Sequence, residues 1–594
     1  MLDPVVEQRA RSWMRPEFGE ATAAEIKTLF DRQAWEEIND RFYQELEFGT
    51  GGIRGVLGAG TNRLNEFVIR MTTQGLANYL LQQAGGRELS VAIAHDPRRK
   101  SPEFALETAQ VLAANGIRAW LFPELRPTPT LSFAVRHLKA TAGVVITASH
   151  NPPEYNGYKV SWTDGGQIVP PHDKGIIEQV RQVKALDQVK WISREEAESR
   201  GLLKWLDGEV DEAYLRAVAG QVIQPEVVRR AASRLKVVYT PLHGTGVTMI
   251  PRALERMGLT KVDVLESQRR PDSEFPTVKS PNPEEKAALD LAIARAGSTG
   301  AQLVIGTDPD CDRMGLAYRD GRGEYVLLNG NQIGSLLCHY VLSSHSGRGS
   351  LPARPVIIKT IVTTDLQREI ADSFGAEIVE TLTGFKYIAE QIKILEEEGG
   401  ARTFLFGGEE SYGYLAGTYT RDKDAVVSSQ LICEAAAWCV DRGITLGDYL
   451  DEIYSAFGYF VESGVSLTLK GQEGARRISG LMDNFRGDRP DEISGSKLSA
   501  CWDLLTNRRV SLADGSAVTT NLPEANVLVY FLEDGSKVSL RPSGTEPKIK
   551  FYFSVRSKVP AGAKLAETKK AGTERIVRLQ EDFMKLVDRR LASL

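Results

Sequence analysis

Cysteine is scarce in this chain. Five occur in 594 residues, and no two are spaced as a CxxC pair. That excludes a disulfide or zinc framework and fits a reducing compartment. Long apolar runs are also missing. None reaches the roughly 18–20 residues a membrane-crossing helix needs. The opening MLDPVVEQRARSWMRPEFGE is charged and has no apolar core of the kind a secretory leader carries. Nor is there an excess of positive charge. The 73 Lys and Arg stand against 78 Asp and Glu, a net of −5, so no global basic field is available for nucleic acid. No GxxxxGK[ST] segment occurs, which argues against a nucleoside triphosphatase. What is present is an ordinary globular composition, 42% hydrophobic and 25% charged. The length suits about three to six domains. The expectation is a large cytoplasmic multi-domain protein.

One pattern recurs three times. Residues 89–122, LSVAIAHDPRRKSPEFALETAQVLAANGIRAWLF, read as an apolar run, a polar loop, a helical stretch, Gly116 as a stop, and a second apolar run. Residues 235–266 repeat this with Gly258 as the stop, and residues 355–380 with Gly375. The runs have strand length and β-branched content, and the middle pieces have helical period, so each copy predicts strand–helix–strand. Each copy leads on to another short run and a loop of unusual chemistry: AGVVITASHNP (142–152), AQLVIGTDPDCDR (301–313) and TFLFGGEESYG (403–413). Alternating strands and helices imply parallel sheets, whose ligands lie beyond the carboxyl ends of strands. Beyond about residue 460 the pattern changes to strand-like pieces (FVESGVSLTL, ANVLVYFLE, KVSLRPSG, KIKFYFSV) and a closing helix near 567–592.

The loops carry the chemistry. DPDCDR sets Asp308, Asp310 and Asp312 at alternate positions. Three carboxylates so close repel unless a cation neutralises them, and hard oxygen ligands suit Mg²⁺ or Ca²⁺. A calcium EF-hand fails, because Arg313 and Arg319 stand where its Gly and Glu belong. Alternation along an extended loop is expected to turn Cys311 away from the aspartates. TASHNP offers Ser149 as a nucleophile. In an extended segment its neighbour His150 points the other way, which makes it a poor base for that serine. GTGGIRG (49–55) and RPSGTEPK (541–548) join small residues to an arginine, a pairing suited to an anion. GGEESYG places carboxylates and a hydroxyl where they can accept from sugar hydroxyls, and YTRDKDA follows with Lys423. Taken alone, each loop also reads as an ordinary turn or solvated surface. As a set they supply what phosphoryl transfer needs: a nucleophile, a cation site and cationic clamps.

In chain order, TASHNP, DPDCDR, GEESYG and RPSGTEPK resemble the phosphoserine, magnesium, sugar and phosphate loops of the α-D-phosphohexomutase superfamily, the phosphoglucomutase and phosphomannomutase enzymes. The resemblance covers nearly the whole chain. EFGTGGIRGVLGAGTNRLN looks most like the phosphoglucomutase-2/phosphopentomutase-type branch. The resemblance implies three repeated α/β domains with mixed, mostly parallel sheets and a C-terminal α+β domain, around a central active-site cleft. The expected boundaries are 1–220, 221–328, 329–460 and 461–594. It implies that Ser149 is phosphorylated and that Asp308, Asp310 and Asp312 bind Mg²⁺ together with the phosphate on Ser149. Arg54, His150 and Lys159 match the basic residues around the phosphoserine, and Arg313 one that stabilises the transferred group. Glu409 and Ser411 match positions that hold the sugar hydroxyls, and Thr383 and Lys423 match ligand-contacting ones. Arg541, Ser543, Gly544 and Thr545 match the grip on the phosphate that is not reacting. The implied reaction is glucose 1-phosphate to glucose 6-phosphate, primed by glucose 1,6-bisphosphate. Pentose or mannose phosphates are alternative substrates. A non-catalytic sugar-phosphate sensor and a phosphatase are alternatives of other classes. The expected partners are small sugar phosphates, with no nucleic acid or membrane, and a monomer or homodimer.

Overall fold

A computed structural model describes every residue except 1, 50, 470, 544–546, 561 and 563, and describes Gln472 by its backbone alone. The chain forms two compact units. The first takes residues 1–329, 385–406 and 411–443, and the second takes 330–384, 407–410 and 444–594.

All three repeats fold as strand–helix–strand. In the first, Ser90–His95 and Arg118–Leu121 flank the helix Ser101–Ala114. In the second, Val237–Thr240 and Val262–Val264 flank Ile250–Arg256, and in the third, Pro355–Thr360 and Glu377–Thr381 flank Leu366–Ser373. The two strands of every copy pair in parallel. A right-handed strand–helix–strand crossover leaves them no other arrangement in one sheet.

In the first unit, two further strands add to these pairs in parallel and run straight into the loops of interest. Ala142–Ile146 lies beside Ser90–His95 and leads to Ser149, and Leu303–Thr307 lies beside Val237–Thr240 and leads to Asp308. Both sheets then turn antiparallel. Tyr155–Ser161 and Gly52–Val56 extend the first, Met314–Arg319 and Tyr325–Leu328 the second. For Tyr155–Ser161, Met314–Arg319 and Tyr325–Leu328 the antiparallel sense follows from short returns, which cannot make parallel neighbours; Gly52–Val56 joins from far along the chain. Ile69, Leu76, Phe104, Leu112, Val91, Ile93, Val144 and Ile146 fill the core between the first sheet and its helices. The N-terminal helices Pro4–Ser12, Gly19–Asp31 and Trp35–Phe42 close on a smaller cluster around Trp13, Phe42 and Phe67.

In the second unit, residues beyond 458 form a C-terminal antiparallel sheet. Its order is Tyr459–Thr468, Lys548–Ser557, Lys537–Pro542, Leu528–Leu532, Ser496–Asp503, Arg508–Ser511, Ala517–Thr519. The four expected strands are all there. The closing helix runs Leu565–Ala592, and a second helix, Gly471–Gly487, lies beside it on one face of the sheet. Alternation sorts that sheet cleanly. Phe551, Phe553 and Val555 pack with Phe485, Phe583 and Val587, while Tyr552 and Ser554 face the other way. Among the described residues no helix is long and apolar enough to cross a membrane. All five cysteines are free thiols.

Candidate active site

The first unit brings the serine and aspartate loops into contact. Ser149 is buried and takes a positive φ of 53°. Its Oγ donates to Asp308 Oδ2 at 2.8 Å, across 159 positions of sequence. The same Oγ lies 3.2 Å from His150 Nδ1. This corrects the expectation that His150 points away. The loop is not extended at Ser149, and the left-handed residue turns the two neighbouring side chains toward each other. Burial, with Arg313 and Arg54 nearby, holds the His150 imidazole well below its ordinary pKa and therefore neutral.

The three aspartates are buried, and a carboxylate oxygen from each lies within 4.8 Å of the others. Each is fixed by a different partner. Asp308 Oδ1 accepts from the backbone N–H of Asp312 at 3.0 Å and of Arg313 at 2.9 Å. Asp310 Oδ2 accepts from Lys159 Nζ at 2.8 Å and from Thr128 Oγ1 at 3.0 Å. Asp312 Oδ2 pairs with Lys423 at 3.1 Å. Among the described residues, nothing donates a hydrogen bond to the buried Asp310 Oδ1 and Asp312 Oδ1. Two such orphaned oxygens beside Asp308 suit a hard divalent cation. The charges are correspondingly uneven. Burial and the neighbouring Asp312 and Asp310 push the Asp308 carboxyl well up. Burial also acts to raise Asp310, but the Lys159 ammonium outweighs it and holds that carboxyl below its usual range. Cys311 has no part in the cluster. It adopts φ 56°, so the reason is a turn rather than extended alternation, and its Sγ lies against Gly246, 3.0 Å from where a Cβ would stand.

Strand pairing sets the basic residues around this cluster. Lys159 sits on Tyr155–Ser161 opposite Val145 on one side and Gly52 on the other. A Cβ at Gly52 would fall 1.9 Å from the carbonyl oxygen of Tyr158. That glycine therefore serves the close approach of two strands rather than an anion. Arg54, on the same strand as Gly52, is exposed and donates to Asn151 Oδ1 at 3.1 Å. Arg313 pairs with Glu284. Lys423 is placed by its neighbour Asp424. That residue caps the helix Ala425–Arg442 and accepts from the hydroxyls of Tyr214 at 2.8 Å and Tyr419 at 2.6 Å. Ser411 is half-buried in this unit, one residue before Tyr412, whose carbonyl accepts from Met314 N at 3.1 Å and so ties the loop to the strand that follows the aspartates.

The second unit carries the remaining candidates. Glu409 Oε1 accepts from Gly384 N at 2.9 Å, next to the half-buried Thr383. Glu410 turns elsewhere, accepting from Thr360 Oγ1 at 3.2 Å. Arg541 is the penultimate residue of the strand Lys537–Pro542, and Ser543 N donates to Lys548 O at 2.7 Å. Gly544 and Thr545 lie outside the described residues. The phenol of Tyr552 is raised by burial and by Glu410 and Glu409, and lowered by Arg541, so the acidic pair and the arginine lie close to one tyrosine. Sequence reasoning missed Tyr552, Thr128 and Glu284. The only trace of the last two is their place in the Pro-rich stretches RPTPT and SPNPEE.

The family description "Phosphoglucomutase/phosphomannomutase, alpha/beta/alpha domain I" matches residues 45–187, "domain II" residues 212–321 and "domain III" residues 329–457. A phosphoglucomutase of Staphylococcus epidermidis is 39% identical over 530 residues, 89% of this chain and 94% of that protein. Among solved structures, a phosphoglucomutase/phosphomannomutase family protein from Burkholderia thailandensis superposes with a TM-score of 0.65 at 20% identity, covering 92% of this chain and 98% of that one. The open form of pp63/parafusin, a phosphoglucomutase from Paramecium, does so with a TM-score of 0.64 at 17% identity, covering 91% and 96%. These two likenesses concern the fold.

Proposed function

This chain belongs to the phosphoglucomutase/phosphomannomutase family of the α-D-phosphohexomutase superfamily, and from that premise we propose that it interconverts glucose 1-phosphate and glucose 6-phosphate. The observation that carries this reading is the hydrogen bond from Ser149 Oγ to the buried aspartate cluster. Asp308, Asp310 and Asp312 would hold Mg²⁺, which when bound neutralises charge on the transferring phosphoryl oxygens. Ser149 Oγ carries the phosphoryl group. In transfer, the Oγ–P bond breaks as a sugar hydroxyl oxygen bonds to phosphorus. The hydroxyl proton passes to a neighbouring base; of the candidates Lys159, His150 and Arg54, the neutral imidazole of His150 can accept it, while the ammonium and the guanidinium can only donate. Arg313 stabilises the group in flight. Thr383, Glu409, Ser411 and Lys423 hold the sugar. The resulting glucose 1,6-bisphosphate turns over and returns its other phosphate to Ser149. The same bisphosphate primes enzyme that has lost its phosphate. The division 1–220, 221–328, 329–460 and 461–594 is part of this reading, supported by the three family matches and the self-contained C-terminal sheet. So is a cytoplasmic location, which five free thiols support.

The deciding experiment compares turnover of glucose, mannose and ribose 1-phosphates, each with its bisphosphate. Glucose 1-phosphate should give the highest kcat/KM. A higher value for ribose 1-phosphate would move the enzyme to the phosphopentomutases.

Two substitutions probe the supports. Thr128→Val keeps shape but removes a donor to a candidate metal ligand. It should weaken Mg²⁺ binding in calorimetry by about tenfold. Arg541, with Ser543, Gly544 and Thr545, grips the phosphate that is not reacting. That contact is made in both half-reactions, so it contributes binding rather than chemistry. Arg541→Ala should still accept phosphate at Ser149 but lose roughly ten- to a hundredfold in kcat/KM, and it should need more added bisphosphate. Activity against bisphosphate concentration, with the phosphorylation level measured in parallel, checks this.

A further inference from the structure

The segment DPRRKS follows the first strand of the first repeat. Its first arginine, Arg98, is 1% exposed and its guanidinium is directed at the loop that carries Ser149. Nη2 donates to the carbonyl oxygens of Ser149, at 2.6 Å, and of Asn151. Nη1 donates to those of Pro152, at 2.8 Å, and Tyr155, at 3.0 Å. One planar group therefore holds four carbonyls across seven residues of loop.

The guanidinium is itself held. Nε forms an ion pair with the buried Asp96 at 3.2 Å. Asp96 Oδ1 accepts from Arg98 N at 2.9 Å and from Ser101 Oγ at 2.8 Å. Ser101 Oγ in turn accepts from Asn156 Nδ2 at 2.9 Å, on the far side of the loop. The ring of Phe275, from the segment that follows the second repeat, lies 5.1 Å from the guanidinium carbon.

Ser149 needs such a hold. A positive φ is uncommon for serine and persists only where the surroundings over-determine it. That same φ brings Oγ to Asp308. The contact to the Ser149 carbonyl acts on this very residue, and the other three fix the chain that leaves it. We propose that Arg98 is a positioning residue that locks Ser149 in its left-handed conformation and so aims Oγ for phosphoryl transfer. A lysine cannot replace it, because one ammonium lacks the rigid fork that spans four acceptors. Arg98 touches none of the groups assigned to the sugar, so its loss acts on the rate of chemistry and not on substrate binding.

The inference rests on Ser149 being the phosphoryl carrier, and the experiment separates the two ideas. Parent and Arg98→Lys are mixed with glucose 1,6-bisphosphate and Mg²⁺, and phosphate appearing on Ser149 is followed by intact mass and peptide mapping. Arg98→Lys should load about a hundredfold more slowly, the size expected when a reacting group is misplaced by about an ångström. Its kcat should fall in step while KM for glucose 1-phosphate stays within about twofold. A purely structural role would instead lower the thermal midpoint and leave kcat per folded molecule unchanged. If Arg98→Lys does not fold, Phe275→Leu keeps every hydrogen bond but removes the aromatic face, and it should slow loading severalfold at constant KM. Normal loading in the folded Arg98→Lys protein, or in Phe275→Leu where the lysine variant does not fold, overturns the role of Arg98. A parent that loads phosphate elsewhere overturns the assignment of Ser149, and this inference with it.

Discussion

Ser149→Ala should lose mutase turnover by about four orders of magnitude or more and should carry no phosphate. The size follows from what is removed. The reaction is split into two transfers through one oxygen, and deleting a covalent nucleophile from such a scheme leaves only the slow direct route. The fold should survive. Ser149 is buried, but among the described residues its Oγ bonds to Asp308 and His150, and the backbone is held through its carbonyl and through its N–H, which donates to Thr147 Oγ1 at 2.8 Å. Intact mass should show one phosphoryl group on the parent and none on the variant, with thermal midpoints close together. Near-normal turnover in Ser149→Ala would sink the phosphoserine assignment.

Asp310→Asn should reduce kcat by roughly a hundred- to a thousandfold, the range seen when one electrostatic contact to a developing charge is lost. The local charges explain why a change of one group matters. Three carboxylates face Lys159, Lys423 and Arg313, and all are buried or nearly so. Asparagine keeps the shape and still accepts from Thr128 and Lys159, but it withdraws one negative charge from both the cation site and the Lys159 pair. Lys159 retains Asp312 at 3.7 Å, so the fold should hold with a modest loss of stability. Calorimetry should show Mg²⁺ binding weakened alongside the rate. Exhaustive chelation of the parent should abolish turnover, and added Mg²⁺ should restore it. Full activity after chelation would refute a metal role for the aspartates.

Each of the two experiments probes a group that local sequence announces. Other features needed long-range contacts. Arg98 was visible only as one of three consecutive basic residues, and nothing in RRK separates the buried arginine from its neighbour Arg99, which pairs with Glu274 at the surface. Of the two glutamates in GGEESYG, the chain alone does not say which turns to Gly384 and which to Thr360.

The sequence by itself determined the three strand–helix–strand copies, four strands of the C-terminal sheet, and the loops that carry serine and aspartates. Those follow from hydrophobic period, helix stops and chemical type, all of which act over a few residues. Tertiary structure alone decided which groups meet. Lys159 reaches Asp310 across 151 positions, Thr128 reaches it across 182, and Ser149 reaches Asp308 across 159. It also decided the backbone at Ser149. An extended loop was the local expectation, and it would have sent His150 away from the hydroxyl. The left-handed turn is unfavourable for an isolated serine and exists only because the buried guanidinium and the paired strands around it leave the loop no other path. Local preference could not have shown this, since the conformation is one that local preference opposes.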